Sequence, residues 1–172
     1  MIDKFHFYLT SMFSIGRISY MPGTIASAIT CIVFFCFIKF DPIFFITYKI
    51  IIFIILTLLF LTSFYSIERI TRFSHHKDSR EIVIDEFFGQ LIPLLFFYYY
   101  IFSEYADQFQ LVMSLDSYIL GSFIFFRFFD IVKPFPIGLI DKKFNSSLGV
   151  MLDDIIAGIF TTIILFIPSL IF

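Results

Sequence analysis

Apolar runs alternate with short polar breaks along the whole chain. The runs are Ile25 to Phe40, Ile43 to Tyr65, Ile82 to Phe102, Tyr118 to Val132 and Ile155 to Phe172. A helix needs about 20 residues to cross a bilayer, and several of these runs are shorter, so tilted or incomplete crossings are expected. The pattern predicts an all-α, polytopic membrane bundle of five spans, with four as the fallback count. No internal repeat, low-complexity linker or charge block divides the chain, which predicts one domain over residues 1–172. Phe5 to Ile15 is short, apolar and preceded by Lys4, but it contains His6 and is followed by no A-x-A-like site. It reads as an interfacial segment rather than a cleaved signal peptide.

The polar breaks orient the bundle. Ser66 to Glu81 holds Arg69, Arg72, Lys77 and Arg80, and Lys133 to Leu152 holds Lys133, Lys142 and Lys143. Ser103 to Ser117 has no Lys or Arg, only Glu104, Asp107 and Asp116. Positive charge concentrates in cytoplasmic loops, so the first two breaks are expected inside and the third outside. Lys4 and Arg17 place the N-terminus inside as well, whereas Lys39 and Lys49, flanking the first external turn, run against the rule. On this topology Asp85-Glu86, Asp130 and Asp153-Asp154 all fall at cytoplasmic span ends, and Met21-Pro22-Gly23-Thr24 opens the first span on the same side.

Composition sharpens this picture without redirecting it. The chain is 59% hydrophobic with a mean hydropathy of +0.95, well above the roughly half-apolar content of soluble domains. A net charge of -2, with 12 Lys and Arg spread along the chain, gives no reason for a nucleic-acid partner. The 29 Phe are equally well explained by coding bias and imply no site. Cys31 and Cys36 have neither redox-pair nor zinc-pair spacing and read as buried free thiols. His75-His76 reads as a solvated loop pair.

The acids call for a physical explanation. A charge near the centre of a membrane helix costs roughly 3 kcal/mol or more, so carboxylates survive there by facing a polar cavity, a partner charge or a metal. Neighbouring helical residues point about 100° apart, so each acidic pair can send one carboxylate inward while the other binds elsewhere. Oxygen donors from Asp85, Glu86, Asp130, Asp153 and Asp154 suit Mg²⁺, a hard cation that takes a few carboxylates plus substrate phosphate. Arg127, Asp130 and Lys133 follow at i, i+3 spacing and are expected on one helix face. They read either as an ion-pair ladder or as a phosphate clamp around a metal-binding acid. Pro22-Gly23-Thr24 opens a helix whose free N–H groups could receive phosphate, or could simply be capped by Thr24 or Ser27. Gly149 could allow a tight loop, and Ala157-Gly158 a close helix contact. No D-x-D-x-T segment, Cys-x5-Arg loop or vanadate-type Lys, Arg and His pattern is present, so phosphate cleavage here would fall to metal and carboxylates.

Four stretches together resemble the phosphatidylglycerophosphatase A family. They are Pro22-Gly23-Thr24-Ile25-Ala26-Ser27; Lys77-Asp78 followed by Ile82-Val83-Ile84-Asp85-Glu86-Phe87-Phe88-Gly89-Gln90; Phe126-Arg127-Phe128-Phe129-Asp130-Ile131-Val132-Lys133-Pro134-Phe135-Pro136-Ile137; and Leu148-Gly149-Val150-Met151-Leu152-Asp153-Asp154-Ile155-Ile156-Ala157-Gly158. Ala26 stands where the family usually has Gly, and Ser146-Ser147 where it has Gly-Gly. The resemblance implies an all-helical inner-membrane hydrolase that uses Mg²⁺ to convert phosphatidylglycerophosphate to phosphatidylglycerol. It implies catalytic and metal-binding roles for Asp85, Glu86, Asp130, Asp153 and Asp154, and substrate-binding roles for Arg127, Lys133, Lys77, Gly23 and Thr24. The nucleophile is expected to be a metal-activated water, with an aspartyl-phosphate route as the alternative. The rival expectations are a phosphatase of another lipid or isoprenoid phosphate, an ion-coupled transporter and a structural subunit held by buried ion pairs.

Overall fold

The computed structural model describes residues 4–73, 80–101, 114–143 and 147–171, and every regular element among them is helical. The helices are α1 (Lys4–Thr10), α2 (Pro22–Phe40), α3 (Phe44–Thr47), α4 (Lys49–Phe73), α5 (Ile84–Ile101), α6 (Leu115–Val132), α7 (Ile137–Lys143) and α8 (Ser147–Ile171), with a 3₁₀ turn at Ile15–Arg17. Pro22–Phe40, Lys49–Arg72 and Ser147–Ile167 are long and apolar enough to cross a membrane. Helices α5 and α6 have 18 residues each and carry the acids Asp85, Glu86, Asp116 and Asp130 together with Arg127.

Local chemistry sets most boundaries. Pro22 occupies the first turn of α2, where its missing N–H is no loss. Ser114 caps α6 by accepting from the Ser117 N–H at 3.3 Å. That helix ends at Lys133, which lies in the left-handed region (φ 45°) ahead of Pro134. Two boundaries differ from expectation. The run from Ile43 splits at Tyr48 into α3 and α4. The last helix starts at Ser147, so Gly149 is helical rather than in a loop, and Asp153-Asp154 sit about two turns inside the helix instead of just ahead of it. The polar look of Ser147 and Gly149 hid a segment that buries Ser147 and Met151.

Helices α5 and α8 form the central pair, α2 and α6 pack beside them, and α1 packs on α4. Only 17% of the apolar window of α4 is buried, against 44% for α8, so α4 is the outer helix. Ile50, Phe53, Ile54, Leu58 and Leu61 face outward from it, as a lipid-facing helix requires. Helix α1 is held to α4 by His6 Nδ1 and Ser66 Oγ, 2.8 Å apart, consistent with a segment lying along the bundle. Gln90 Nε2 donates to Ser122 Oγ at 3.2 Å, and Tyr118 Oη to the Pro93 carbonyl at 3.0 Å, joining α5 to α6 inside the bundle.

Glycines set the approach of the central pair. A Cβ on Gly158 would lie 2.3 Å from the Gly89 carbonyl oxygen, and one on Gly89 would lie 2.6 Å from the Asp154 carbonyl oxygen and 2.6 Å from the Phe126 ring. Pro93 deprives the Gly89 carbonyl of its usual helical N–H donor four residues on, and that carbonyl faces the Gly158 Cα instead. Gly158→Ala should therefore force the helices apart and lower stability by about 1–3 kcal/mol. Gly121→Ala, where the nearest atom would be the end of Leu165 at 3.2 Å, should cost less. Thermal unfolding of both variants in detergent checks the ordering, and equal melting temperatures would contradict it.

Candidate active site

Asp85 and Asp154 each lie four residues before one of the two contacting glycines, so each acid stands about one turn from the crossing, on the same side of its helix. With Glu86 they form a cluster: one carboxylate oxygen from each of Asp85, Glu86 and Asp154 lies within 4.8 Å of the others. Asp154 and Asp85 are buried, at 3% and 8% exposure, and Glu86 is partly exposed. Asp85 Oδ1, Glu86 Oε2 and Asp154 Oδ1 have no hydrogen-bond partner. Three gathered carboxylates, each with one unsatisfied oxygen, repel one another and call for a cation. An all-oxygen donor set without His or Cys suits a hard divalent ion such as Mg²⁺.

The remaining predicted residues arrange themselves around this trio. Arg127 Nη1 lies 2.6 Å from Asp130 Oδ2 and 4.0 Å from Glu86 Oε1. These are charge contacts without hydrogen-bond alignment, since Arg127 Nη1 and Nε have no hydrogen-bond partner. Asp130 also acts electrostatically on Asp154 and Glu86. Asp153 is not one of the trio, although its charge acts on Asp85: its Oδ2 accepts from Lys133 Nζ at 2.5 Å and its Oδ1 from the Asp154 N–H at 3.1 Å. The acidic pair on α8 thus divides as the 100° helical offset requires, whereas both acids of α5, in its first turn, join the cluster. Lys133 does not share the helix face of Arg127 and Asp130. Its left-handed backbone ends the helix and turns its ammonium to α8, so the expected ladder becomes two separate pairs.

Gly23 packs directly on the cluster. A Cβ there would stand 1.9 Å from Glu86 Oε1 and 3.4 Å from Arg127 Nη1. Thr24 follows, its buried Oγ1 without a hydrogen-bond partner. Lys77 lies outside the described residues. A cavity of about 650 Å³ opens beside Glu86 and Arg127, walled by Gly23, Thr24, Glu81 and two residues that sequence reasoning counted only as orienting charges, Arg17 and Arg80. Nothing in the order of the chain signalled that Arg17 and Arg80 share a wall, since 62 residues separate them.

Fold and site together define an all-helical membrane protein with a buried carboxylate cluster opening on a basic cavity. The family model described as Phosphatidylglycerophosphatase A matches residues 8–169, and the chain belongs to that family. A Haemophilus influenzae protein named Phosphatidylglycerophosphatase A is 38% identical over 117 residues, covering 67% of this chain and 63% of the relative. A Bacteroides thetaiotaomicron protein provisionally named phosphatidylinositol-3-phosphatase is 33% identical over 52% of this chain and 48% of its own length. An Escherichia coli Phosphatidylglycerophosphatase A is 32% identical over 52% of this chain and 44% of its own length. The chain therefore spans less than two thirds of the length of these relatives. No solved structure matches it significantly.

The cluster's electrostatics yield a test that needs no turnover. Asp154→Asn removes one of three mutually repelling charges, so it should raise the melting temperature of the cation-free protein and abolish the further rise that excess Mg²⁺ gives the unaltered chain. Gly23→Ala, by displacing the Glu86 carboxylate, should weaken the same Mg²⁺ response. An unaltered chain whose melting temperature ignores Mg²⁺ would speak against a cation at the trio.

Proposed function

We propose that this chain is an Mg²⁺-dependent lipid phosphatase that hydrolyses phosphatidylglycerophosphate to phosphatidylglycerol and phosphate, in phospholipid biosynthesis at the cytoplasmic face of a bacterial inner membrane. The observation that carries the reading is the Asp85, Glu86 and Asp154 trio, one oxygen of each unsatisfied, adjoining a basic cavity of about 650 Å³. Family membership and the names of the Haemophilus and Escherichia relatives support the substrate.

Asp85, Glu86 and Asp154 would hold Mg²⁺, which when bound offsets the negative charge of phosphate oxygens. Arg127, on the cavity wall beside Glu86, binds those oxygens and stabilises the charge that builds as the terminal P–O bond breaks. Asp130 positions Arg127 through the 2.6 Å ion pair. Lys133 and Asp153 clamp the end of α6 to α8, which holds Asp154 in place. In the hydrolysis the oxygen of water joins phosphorus, and the alcohol of phosphatidylglycerol departs with a proton. Of the trio, Glu86 lines the cavity, where it can accept the proton of the attacking water. Gly23 and Thr24 line the cavity beside Glu86 and Arg127, where they would contact the phosphate. Ile18, Tyr20, Met21 and Ile131 line the cavity with exposed apolar surface, which lets acyl chains stay in lipid while the headgroup enters.

Phosphate release by the purified chain should be fastest with phosphatidylglycerophosphate, slower with phosphatidate or an isoprenoid phosphate, lost with chelator and restored by Mg²⁺. Asp85→Asn, Glu86→Gln and Asp154→Asn should each lower turnover at least about a hundredfold, and Arg127→Gln comparably, the usual scale for losing a preorganised charge contact. Glu104→Gln and Asp107→Asn should leave turnover near normal. Full activity in chelator, or near-normal turnover in the amide variants, would defeat the proposal.

The orientation rests on the basic breaks around Arg69 to Arg80 and Lys133 to Lys143 against the acidic break around Asp107. Cysteines introduced at Ser79 and Asp107 should label from opposite sides of the membrane, Ser79 from the cytoplasm. Labelling of both from one side would remove the argument for a cytoplasmic site.

A further inference from the structure

We propose that the cavity recognises two phosphates of one lipid headgroup: Arg127 takes the terminal phosphomonoester, and Arg17 and Arg80 together take the phosphodiester that joins the headgroup to the glycerolipid. This rests on the phosphatase reading and makes Arg17 and Arg80 specificity residues, favouring lipids that carry both groups over phosphatidate, which carries one.

The pairing of these two arginines is built by the backbone. Gly16 packs so tightly on the 80–81 segment that a Cβ there would stand 2.0 Å from the Glu81 carbonyl oxygen, and the Val83 N–H donates to the Thr10 carbonyl at 2.9 Å. The residue after Gly16 is Arg17 and the residue before Glu81 is Arg80, so the contact brings both arginines to the cavity that Arg127 and Glu86 also line. The guanidinium carbon of Arg17 lies 4.6 Å from the centre of the Phe7 ring, a cation–π contact that steadies the side chain without using an anion. Among the described residues neither Arg17 nor Arg80 is in an ion pair. Glu81 shares the wall and has contacts of its own. Planar guanidinium forks suit bidentate contact with phosphate oxygens. A volume of about 650 Å³ accommodates a headgroup rather than a single phosphate. The relatives named for phosphatidylglycerophosphate and for a phosphatidylinositol 3-phosphate have different headgroup alcohols, but both substrates carry a diester and a monoester phosphate.

The test compares kcat and KM for phosphatidylglycerophosphate and phosphatidate in mixed micelles, using the full chain, Arg17→Gln, Arg80→Gln and the two lysine variants. Each glutamine variant should lose about tenfold in kcat/KM for phosphatidylglycerophosphate, mainly through KM, while the phosphatidate value stays unchanged. The lysine variants should recover part of the loss. A second readout needs no turnover: short-chain phosphatidylglycerol, which keeps the diester and lacks the monoester, should raise the melting temperature of the unaltered chain but not of Arg17→Gln or Arg80→Gln. Equal losses on both lipids, or losses that follow the anionic content of the micelle, would assign the arginines to the membrane surface and overturn the inference. So would unchanged kinetics in both glutamine variants. An unaltered chain that hydrolyses no lipid phosphate, yet is stabilised by phosphatidylglycerol through these arginines, would sink the phosphatase reading and leave the diester site standing.

Discussion

The contact between the backbones of Gly89 and Gly158 is the constraint on which the rest of the molecule depends. It lets α5 and α8 approach without intervening side chains, and Pro93 leaves the Gly89 carbonyl turned toward the crossing. In a membrane, helix association gains little from the hydrophobic effect, so close backbone packing carries more of the association. Because Asp85 and Asp154 each precede their glycine by one turn, the same contact sets the distance between the acids. The bundle cannot loosen at this crossing without spreading the cluster.

That coupling makes the site both costly and exact in placement. Taking carboxylates out of water carries a penalty of several kcal/mol per ion, offset only by well-placed partners. Here Arg127 answers Asp130 and Lys133 answers Asp153, leaving Asp85, Glu86 and Asp154 with unsatisfied oxygens. The protein neutralises the periphery of its acid cluster and leaves the centre negative, an arrangement that favours a bound cation over a closed salt-bridge network. Gly23 sharpens the placement from the third side, since the start of α2 touches the Glu86 carboxylate with no side chain between.

Beside this centre the cavity mixes charge with oil. Glu86, Arg127, Arg17 and Arg80 line it, and Ile18, Tyr20, Met21 and Ile131 add exposed apolar surface to the same lining. Such a mixture matches an amphipathic molecule better than a permeating ion, which would need a polar route to both faces. Met21, in the left-handed region at the mouth of α2, and Lys133, in the same region at the end of α6, are turning points where the backbone departs from its preferred angles beside the site.

Long apolar runs alone determined the helical class and most helix positions, because a segment that cannot satisfy its backbone in lipid except as a helix leaves little choice. The chemical types were equally legible: acids in apolar surroundings, an Arg beside an acid, and Pro-Gly ahead of a helix. What the order of residues left open was which acid faces which partner. Asp153 and Asp154 look alike in the chain, yet one helical residue's rotation sends the first to Lys133 and the second to the trio. Lys133 counted as a fellow of Arg127 by spacing, and only the end of the helix at its left-handed backbone turned it to α8. Arg17 and Arg80, far apart in sequence, line one cavity because Gly16 packs on Glu81. Local propensity and hydropathy are written residue by residue and so can be read directly. The identity of a charge's partner depends on where separate helices cross and end, and that was decided only by the packed tertiary structure.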